Sequence, residues 1–386
     1  MSSLRTILRA ATSLAAVTFA FTILTSVNPA AAATLTVGST ATYKTIQAAV
    51  NAAASGDTID INPGYYSCAT VSKSNLTLVG VGASQPVISG KVCGDKALLV
   101  VSGTNTTIKN LQFTSAKSSS GNGAGIRMQG TNLTVLNSAF YANQDGVLSD
   151  YNTKSTITVQ NSIFGKNGTC INPAGCGHGI YAGHIGTLDV ENSTFANTQA
   201  GHDIKSRANN TVVIGNKIQD TPTGTSSYLV DVPNGGAVTI TGNYLEKGPK
   251  SSNSTAAIAM GEEGNLNPAG PLLIANNTFQ NDDPKTQEFI WNKTGNANLT
   301  VSGNVLLGDT TKVLNGPGAV STPTTKTAAV KLASANANAA AENFAAMPVN
   351  ARSAATAVPE APSFALFGSF LIGLGLFFGM KRREQN

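Results

Sequence analysis

Polar and apolar positions along the middle of the chain follow one short phrase: a branched apolar residue, small or polar residues including an Asn, then a large apolar residue. It reads Ile108…Asn110…Phe113, Val135…Asn137…Phe140, Val159…Asn161…Phe164 and Val190…Asn192…Phe195. It continues as Val213…Asn216…Ile218, Ile240…Asn243…Leu245, Ile274…Asn277…Phe279 and Val301…Asn304…Leu306. The apolar pair is five apart in every copy, and the end residues recur at 27, 24, 31, 23, 27, 34 and 27. A floor near 24 with occasional insertions marks stacked repeats, in which one unit cannot bury its apolar face alone.

Within a unit the pattern alternates with period two, as in Leu133-Thr-Val135 and Leu188-Asp-Val190, which predicts strands and turns. Strands of successive units then pair in parallel, roughly 4.8 Å apart. The phrase's Asn would stack into an internal ladder, each amide bonding to its copies above and below. The predicted fold is an all-β parallel β-helix of about ten or eleven coils. The phrase resembles the right-handed β-helix repeat of the pectate-lyase-like superfamily over roughly residues 40–310.

The flanks predict a different organisation. Residues 1–33 read as a secretory signal, with Arg5 and Arg9, an apolar run from Leu14 to Val27, and Pro29-Ala-Ala-Ala-Ala33. Ile46, Ala49, Val50 and Ala53 recur at helical spacing before Gly56, predicting a short helix that caps the first coil. The β-helix is placed at 34–318 and a linker rich in Ala, Thr and Pro at 319–357. At 358–386, Val358-Pro-Glu-Ala-Pro362, an apolar span to Met380 and Lys381-Arg-Arg383 follow in order. The span is long enough to cross a bilayer, and its basic end favours the cytoplasm. Together these resemble the PEP-CTERM sorting signal of Gram-negative bacteria, with Ala361 where the family has its second Pro. That resemblance implies an exosortase-type partner and a domain on the cell surface, in the extracellular matrix, or anchored facing the periplasm. The plain alternative is a permanent C-terminal transmembrane anchor.

Charge narrows the choice of partner. The chain carries 25 basic and 20 acidic residues. Setting aside Arg5, Arg9, Lys381, Arg382, Arg383 and Glu384 leaves 20 and 19, a net charge of +1. Nothing in that balance points to nucleic acid, and the solenoid is read as a monomer. Four cysteines in an exported chain favour disulfides. Cys68 and Cys93 lie about one coil apart, and Cys170 and Cys176 bracket a small loop, so 68–93 and 170–176 are the expected pairs. The alternative is a metal site from Cys170, Cys176 and His178.

Aligning coils on one inward column (Ile126, Val147, Ile180, Ile204, Val230, Ile258, Ile290) gives an outward neighbour column. It reads Arg127, Leu148, Tyr181, Lys205, Asp231, Ala259 and Trp291, with Arg207 two places beyond Lys205. Two places before the inward residue lie Asp145, His178 and His202, which alternation would turn inward. Stacking collects Tyr181, Lys205, Arg207 and Asp231 on one face, with His178 and His202 at its edge. Such a mixed-charge groove suits an extended acidic glycan. Arg127, Asp145, His184 and Trp291 are further substrate-binding candidates, Trp291 by stacking on a sugar ring. Glu262 and Glu263, between glycines in a long coil, read as a Ca²⁺ ligand pair or a lid.

Lys205-Ser-Arg-Ala-Asn209, ahead of Asn216, resembles the catalytic rung of the chondroitinase B and alginate lyase family. The resemblance implies Lys205 as a base abstracting the proton beside a uronate carboxylate. Arg207, or a bound Ca²⁺, would neutralise that carboxylate, and Tyr181, His178 or His202 would donate a proton. An adjacent Arg would lower the pKa of such a Lys. The family's acidic Ca²⁺ ligands are missing near Ala200 and His202, and Asp231 stands where the family has Arg. Asn143-Gln-Asp-Gly146, Gly177-His-Gly179 and Asp203-Ile-Lys205 resemble polygalacturonase motifs, but the second carboxylate that inverting hydrolysis requires is absent beside Asp145. The leading expectation is a lyase or epimerase on acidic polysaccharide. The alternatives are a non-catalytic exopolysaccharide-binding surface or matrix protein, and then a polygalacturonase-like hydrolase. In the plainest reading Lys205 and Arg207 merely pair with Asp203 and Asp231 on a solvated face.

Overall fold

The computed structural model describes residues 31–171, 175–285, 288–310, 312–321 and 325–327. Residues 1–30 of the expected signal, most of the linker and the whole sorting tail lie outside the described residues. From Thr34 onward the chain winds through three parallel sheets of 12, 11 and 10 strands, giving a β-solenoid of about ten turns. Each turn adds one strand to each sheet, so neighbours in space come from successive turns of sequence. The strand pairing continues past residue 318, the boundary read from the repeat, through Ala319–Val320 and Thr325–Thr327.

In the 12-stranded sheet, strands such as Thr58–Ile61 and Leu133–Leu136 bury every second residue. Their inward side chains join one linear core with those of the other two sheets. Alternation fixes this register, because a one-residue slip would turn the whole apolar set to water. In the 11-stranded sheet Phe113, Phe140, Phe164 and Phe195 are register partners. Their rings stack at 5.0, 4.7 and 4.5 Å.

The corner between these two sheets corrects the expected ladder. The early-copy Asn residues do not form it. Asn110, Asn137, Asn161 and Asn192 adopt φ of 56°, 49°, 52° and 48°, a left-handed turn that Asn tolerates and Gly accepts freely. Gly215, Gly242, Asn276 and Gly303 fill the same slot later. The ladder runs through the next residue along. Leu111 N–H donates to Ser138 Oγ at 3.3 Å, Ser138 N–H to Ser162 Oγ at 3.1 Å and Ser162 N–H to Ser193 Oγ at 3.1 Å. Ser193 N–H then donates to Asn216 Oδ1 at 2.8 Å, Asn216 N–H to Asn243 at 2.8 Å, Asn243 N–H to Asn277 at 3.0 Å and Asn277 N–H to Asn304 at 2.9 Å. The repeated Asn is thus two residues with two jobs: one makes the bend, the other satisfies the buried amide of the preceding turn.

At the N-terminal end, Ile46–Ala52 is a helix whose Thr45 side chain caps Ala48 N–H. Ile46, Ala49 and Val50 enter the common core beside strands Thr34–Val37, Thr58–Ile61 and Ala69–Val71. Both disulfides take the expected pairing, Cys68–Cys93 and Cys170–Cys176. Two such bonds fit an exported, oxidising compartment.

Candidate functional site

The site lies on the outer face of the 10-stranded sheet. Its register sets Arg127, Leu148, Tyr181, Lys205, Asp231, Ala259 and Trp291 on successive rungs. The residues two places earlier depart from simple alternation. Leu229 and Val230, Ala257 and Ile258, and Phe289 and Ile290 are consecutive pairs that both enter the core. The strand start therefore bends, and the residue before each pair returns to the outer side. His178 meets Tyr181 edge-on at 5.1 Å, and His202 Nε2 lies 3.2 Å from Asp231 Oδ2. The two histidines thus share the outer face and do not point into the core.

These side chains form a second ladder. His178 N–H donates to Asp145 Oδ1 at 2.7 Å, His202 N–H to His178 Nδ1 at 2.9 Å and Tyr228 N–H to His202 Nδ1 at 3.0 Å. His178 stacks on His202 at 5.0 Å, and His202 on Tyr228 at 5.3 Å. A ring nitrogen that accepts an amide proton carries no proton itself, so each imidazole is in its Nε2–H form. Burial, then the charges of Lys205 and Arg207, push His178 down to about 3. Burial and His178 hold His202 well below the usual histidine range. Burial raises Asp145 to about 7, against the His178 amide and Arg127. The histidines expected as proton donors therefore sit here as neutral, hydrogen-bonded supports.

Beside them is a charged knot. Lys205 Nζ lies 2.8 Å from Glu263 Oε1 and 3.4 Å from Asp231 Oδ2. Arg207 pairs with Glu263 Oε2, donates from Nε to Tyr181 Oη at 3.0 Å, and from Nη1 to Asn234 Oδ1 at 2.8 Å. Burial alone would lower Lys205, but Asp231 and Glu263 outweigh it and raise its pKa. That reverses the direction expected from the neighbouring Arg207. Burial would raise Glu263, yet Lys205 and Arg207 hold it below the ordinary range. Asp231 is raised well above its usual value, first by burial and then by Glu262.

The other candidates lie apart from this knot. Arg127 binds Asp150, its Nε 2.7 Å from Oδ1. His184 Nε2 is 3.3 Å from Asn209 Oδ1, with Tyr151 against its ring edge at 5.1 Å. Trp291 is two rungs beyond Asp231, with Lys293 Nζ 4.9 Å over its ring. Asp203 does not pair with Lys205: it is buried and accepts from Thr198 Oγ1 at 2.6 Å. It belongs to a buried group with Asp220 and Lys247, the lysine pushed down to about 8 by burial against the aspartates.

Glu262 and Glu263 serve separate partners, Asp231 and the two cations. Among the described residues no three His, Cys, Asp or Glu converge as a metal site. Cys170 and Cys176 are consumed in their disulfide. The sequence pattern does not mark Glu263 as a counter-ion, Asn234 as an Arg207 acceptor or Tyr228 as the ladder's last ring. Glu263 comes from the insertion after Ala256–Met260, outside any column that rung arithmetic can align. The outward turn of the histidine column would have placed Tyr228 beside them.

No protein-family model matches this sequence, and no curated protein matches it. Among solved structures, the chain is similar to the pectate lyase Pel9A at 14% identity, over 76% of this chain and 78% of that one, with a TM-score of 0.45. It is similar to the A-module of the Azotobacter vinelandii mannuronan C-5 epimerase AlgE4 at 15% identity, over 74% and 94%, TM-score 0.43. A pectin methylesterase from Aspergillus niger is similar at 15% identity, over 79% and 93%, TM-score 0.34.

Proposed function

We propose that the protein binds an acidic polysaccharide across the outer face of its 10-stranded sheet and abstracts the proton beside a uronate carboxylate. The observation that carries this reading is the grip of Lys205 and Arg207 on the two oxygens of one carboxylate, that of Glu263. A planar guanidinium and an ammonium converging on a carboxylate form a recognition geometry for that group. They also stabilise the enolate-like charge that develops once the neighbouring proton leaves. Lys205, held charged by its carboxylates, then acts as a cation. For that step Tyr181 Oη, one rung away and accepting from Arg207 Nε–H, has to act as the phenolate: it takes the carbon-bound proton to become the phenol and then releases it to solvent. Lyase and epimerase begin with this same step. The export and sorting signals read from the sequence would put the domain outside the inner membrane, where such polymers occur.

One observation favours a second reading, a binding protein without turnover: both histidine Nδ1 lone pairs are committed to amides and Lys205 is not neutral. Incubating the protein with uronate polymers separates the two. Absorbance of an unsaturated product reports elimination, and deuterium uptake into polymer from heavy water reports epimerisation. The expected result is one of these signals, lowered about 100-fold or more by Tyr181→Phe. Uronate binding with neither signal selects the binding protein.

A further inference from the structure

The carboxylate between Lys205 and Arg207 belongs to the protein itself, at the tip of a corner segment. Gly261 opens that segment at φ +77°, where an added Cβ would come within 2.7 Å of Thr294 N, and Gly264 follows at φ +96°. The backbone is fixed without help from the carboxylate. Glu263 N–H donates to Pro233 O at 3.0 Å and Asn267 N–H to Asn234 O at 3.2 Å. Asn267 Nδ2 reaches Ala208 O at 2.8 Å and Gly235 O at 2.9 Å.

The Glu263 side chain is 40% exposed, while those of Lys205 and Arg207 are 11% and 24% exposed. It can therefore leave by rotating about its own bonds while the loop stays anchored. The two cations remain in place, and Asp231, already crowded by Glu262, is a poor substitute counter-ion. A half-buried cation pair stripped of its carboxylate calls for another one.

We infer that Glu263 is a resident competitor: its carboxylate occupies the position that a sugar carboxylate takes, and an acidic glycan binds by exchanging with it. This rests on the uronate reading above. Glycans without a carboxylate cannot make the exchange, so the contact filters ligands as well as weakening their binding.

Calorimetric titration of the whole protein with sodium polygalacturonate and sodium alginate, with dextran as the neutral polymer, tests the inference. Glu263→Gln is expected to bind a uronate polymer about five- to tenfold more tightly than the unaltered protein, the modest gain reflecting an ion pair partly open to solvent. Asn265→Ala, which perturbs the same segment but keeps the carboxylate, is expected to leave affinity unchanged. Equal or weaker binding by Glu263→Gln, with the unaltered protein binding uronates, overturns the exchange and leaves the uronate reading intact. An equal gain in Asn265→Ala also overturns it, since loosening of the segment would then be the cause. If neither protein prefers uronates to dextran, both readings fall together.

Discussion

Two corners of the solenoid solve one problem with different chemistry. Where the 12- and 11-stranded sheets meet, Ser138, Ser162, Ser193, Asn216, Asn243, Asn277 and Asn304 each accept a buried amide from the preceding turn. At the head of the 10-stranded sheet, Asp145, His178 and His202 each accept an amide from the following turn. The first set does not titrate. The second does: burial keeps His178 and His202 neutral and raises Asp145 to about 7. The difference teaches that a ladder position is a structural requirement met by whichever acceptor fits. Histidines placed there stay neutral while bringing aromatic area and dipoles to the adjoining face.

The comparison can be broken most forcefully at the non-titrating corner. Asn243 accepts from Asn216 N–H and donates to Val213 O at 2.9 Å and Asn277 Oδ1 at 2.9 Å. Asn243→Leu leaves several buried groups without partners, and a loss of about 3–5 kcal/mol in urea unfolding is expected. At the site corner the equivalent change is milder. His202→Leu orphans the Tyr228 amide and takes Nε2–H away from Asp231, and about 1–3 kcal/mol is expected. His202→Gln, which offers a carbonyl oxygen, is expected to recover part of that. Equal losses at both corners would mean that stacking, not amide satisfaction, carries the histidine ladder.

The smallest effect sharpens the contrast by pH. A histidine held near 3 when folded and near 6.5 when unfolded gives stability that is fully present above 6.5 and declines as pH falls toward 3, because the unfolded chain takes up the proton. Asp145, raised to about 7 when folded, slopes the other way between about 4 and 7. The unaltered protein alone therefore cannot isolate His178. The difference in unfolding free energy between it and His178→Asn should shrink by up to about 1.4 kcal/mol per pH unit below 6.5. The same pair of measurements on Asn277→Ser should show no such slope.

Much of the architecture was legible in the residues because a solenoid repeats its instructions. Two apolar residues five apart, recurring at a floor near 24, were enough to set the rungs. Aligning Ile180, Ile204 and Val230 then placed Tyr181, Lys205 and Asp231 side by side. Legibility failed where periodicity does. The phrase shows an Asn in every copy, but it does not say that Asn192 makes a bend while Asn216 satisfies an amide. That difference follows from Gly215 taking the bend position that Asn192 fills, which moves the Asn one place along to the amide-accepting position. Strict alternation mispointed His178 and His202 because two consecutive residues enter the core at each strand start. The direction of the Lys205 shift was missed because it depends on Glu263, 58 residues away in a segment that no other turn repeats.

That segment has a consequence for how such a surface can change. Lys205 and Asp231 belong to the lattice, and any change there is felt by the rungs above and below. Glu263 is carried by a strap spliced between Ala256–Met260 and Leu272–Ala275, fastened by backbone bonds and by the Asn265 and Asn267 side chains. Glu263 itself is not one of these fastenings beyond its backbone N–H, so its side chain can change while Gly261 and Asn267 keep the strap in place. On the uronate reading proposed above, selectivity and framework would be uncoupled, and a change at one side chain in a single bend would alter which polymer the solenoid prefers.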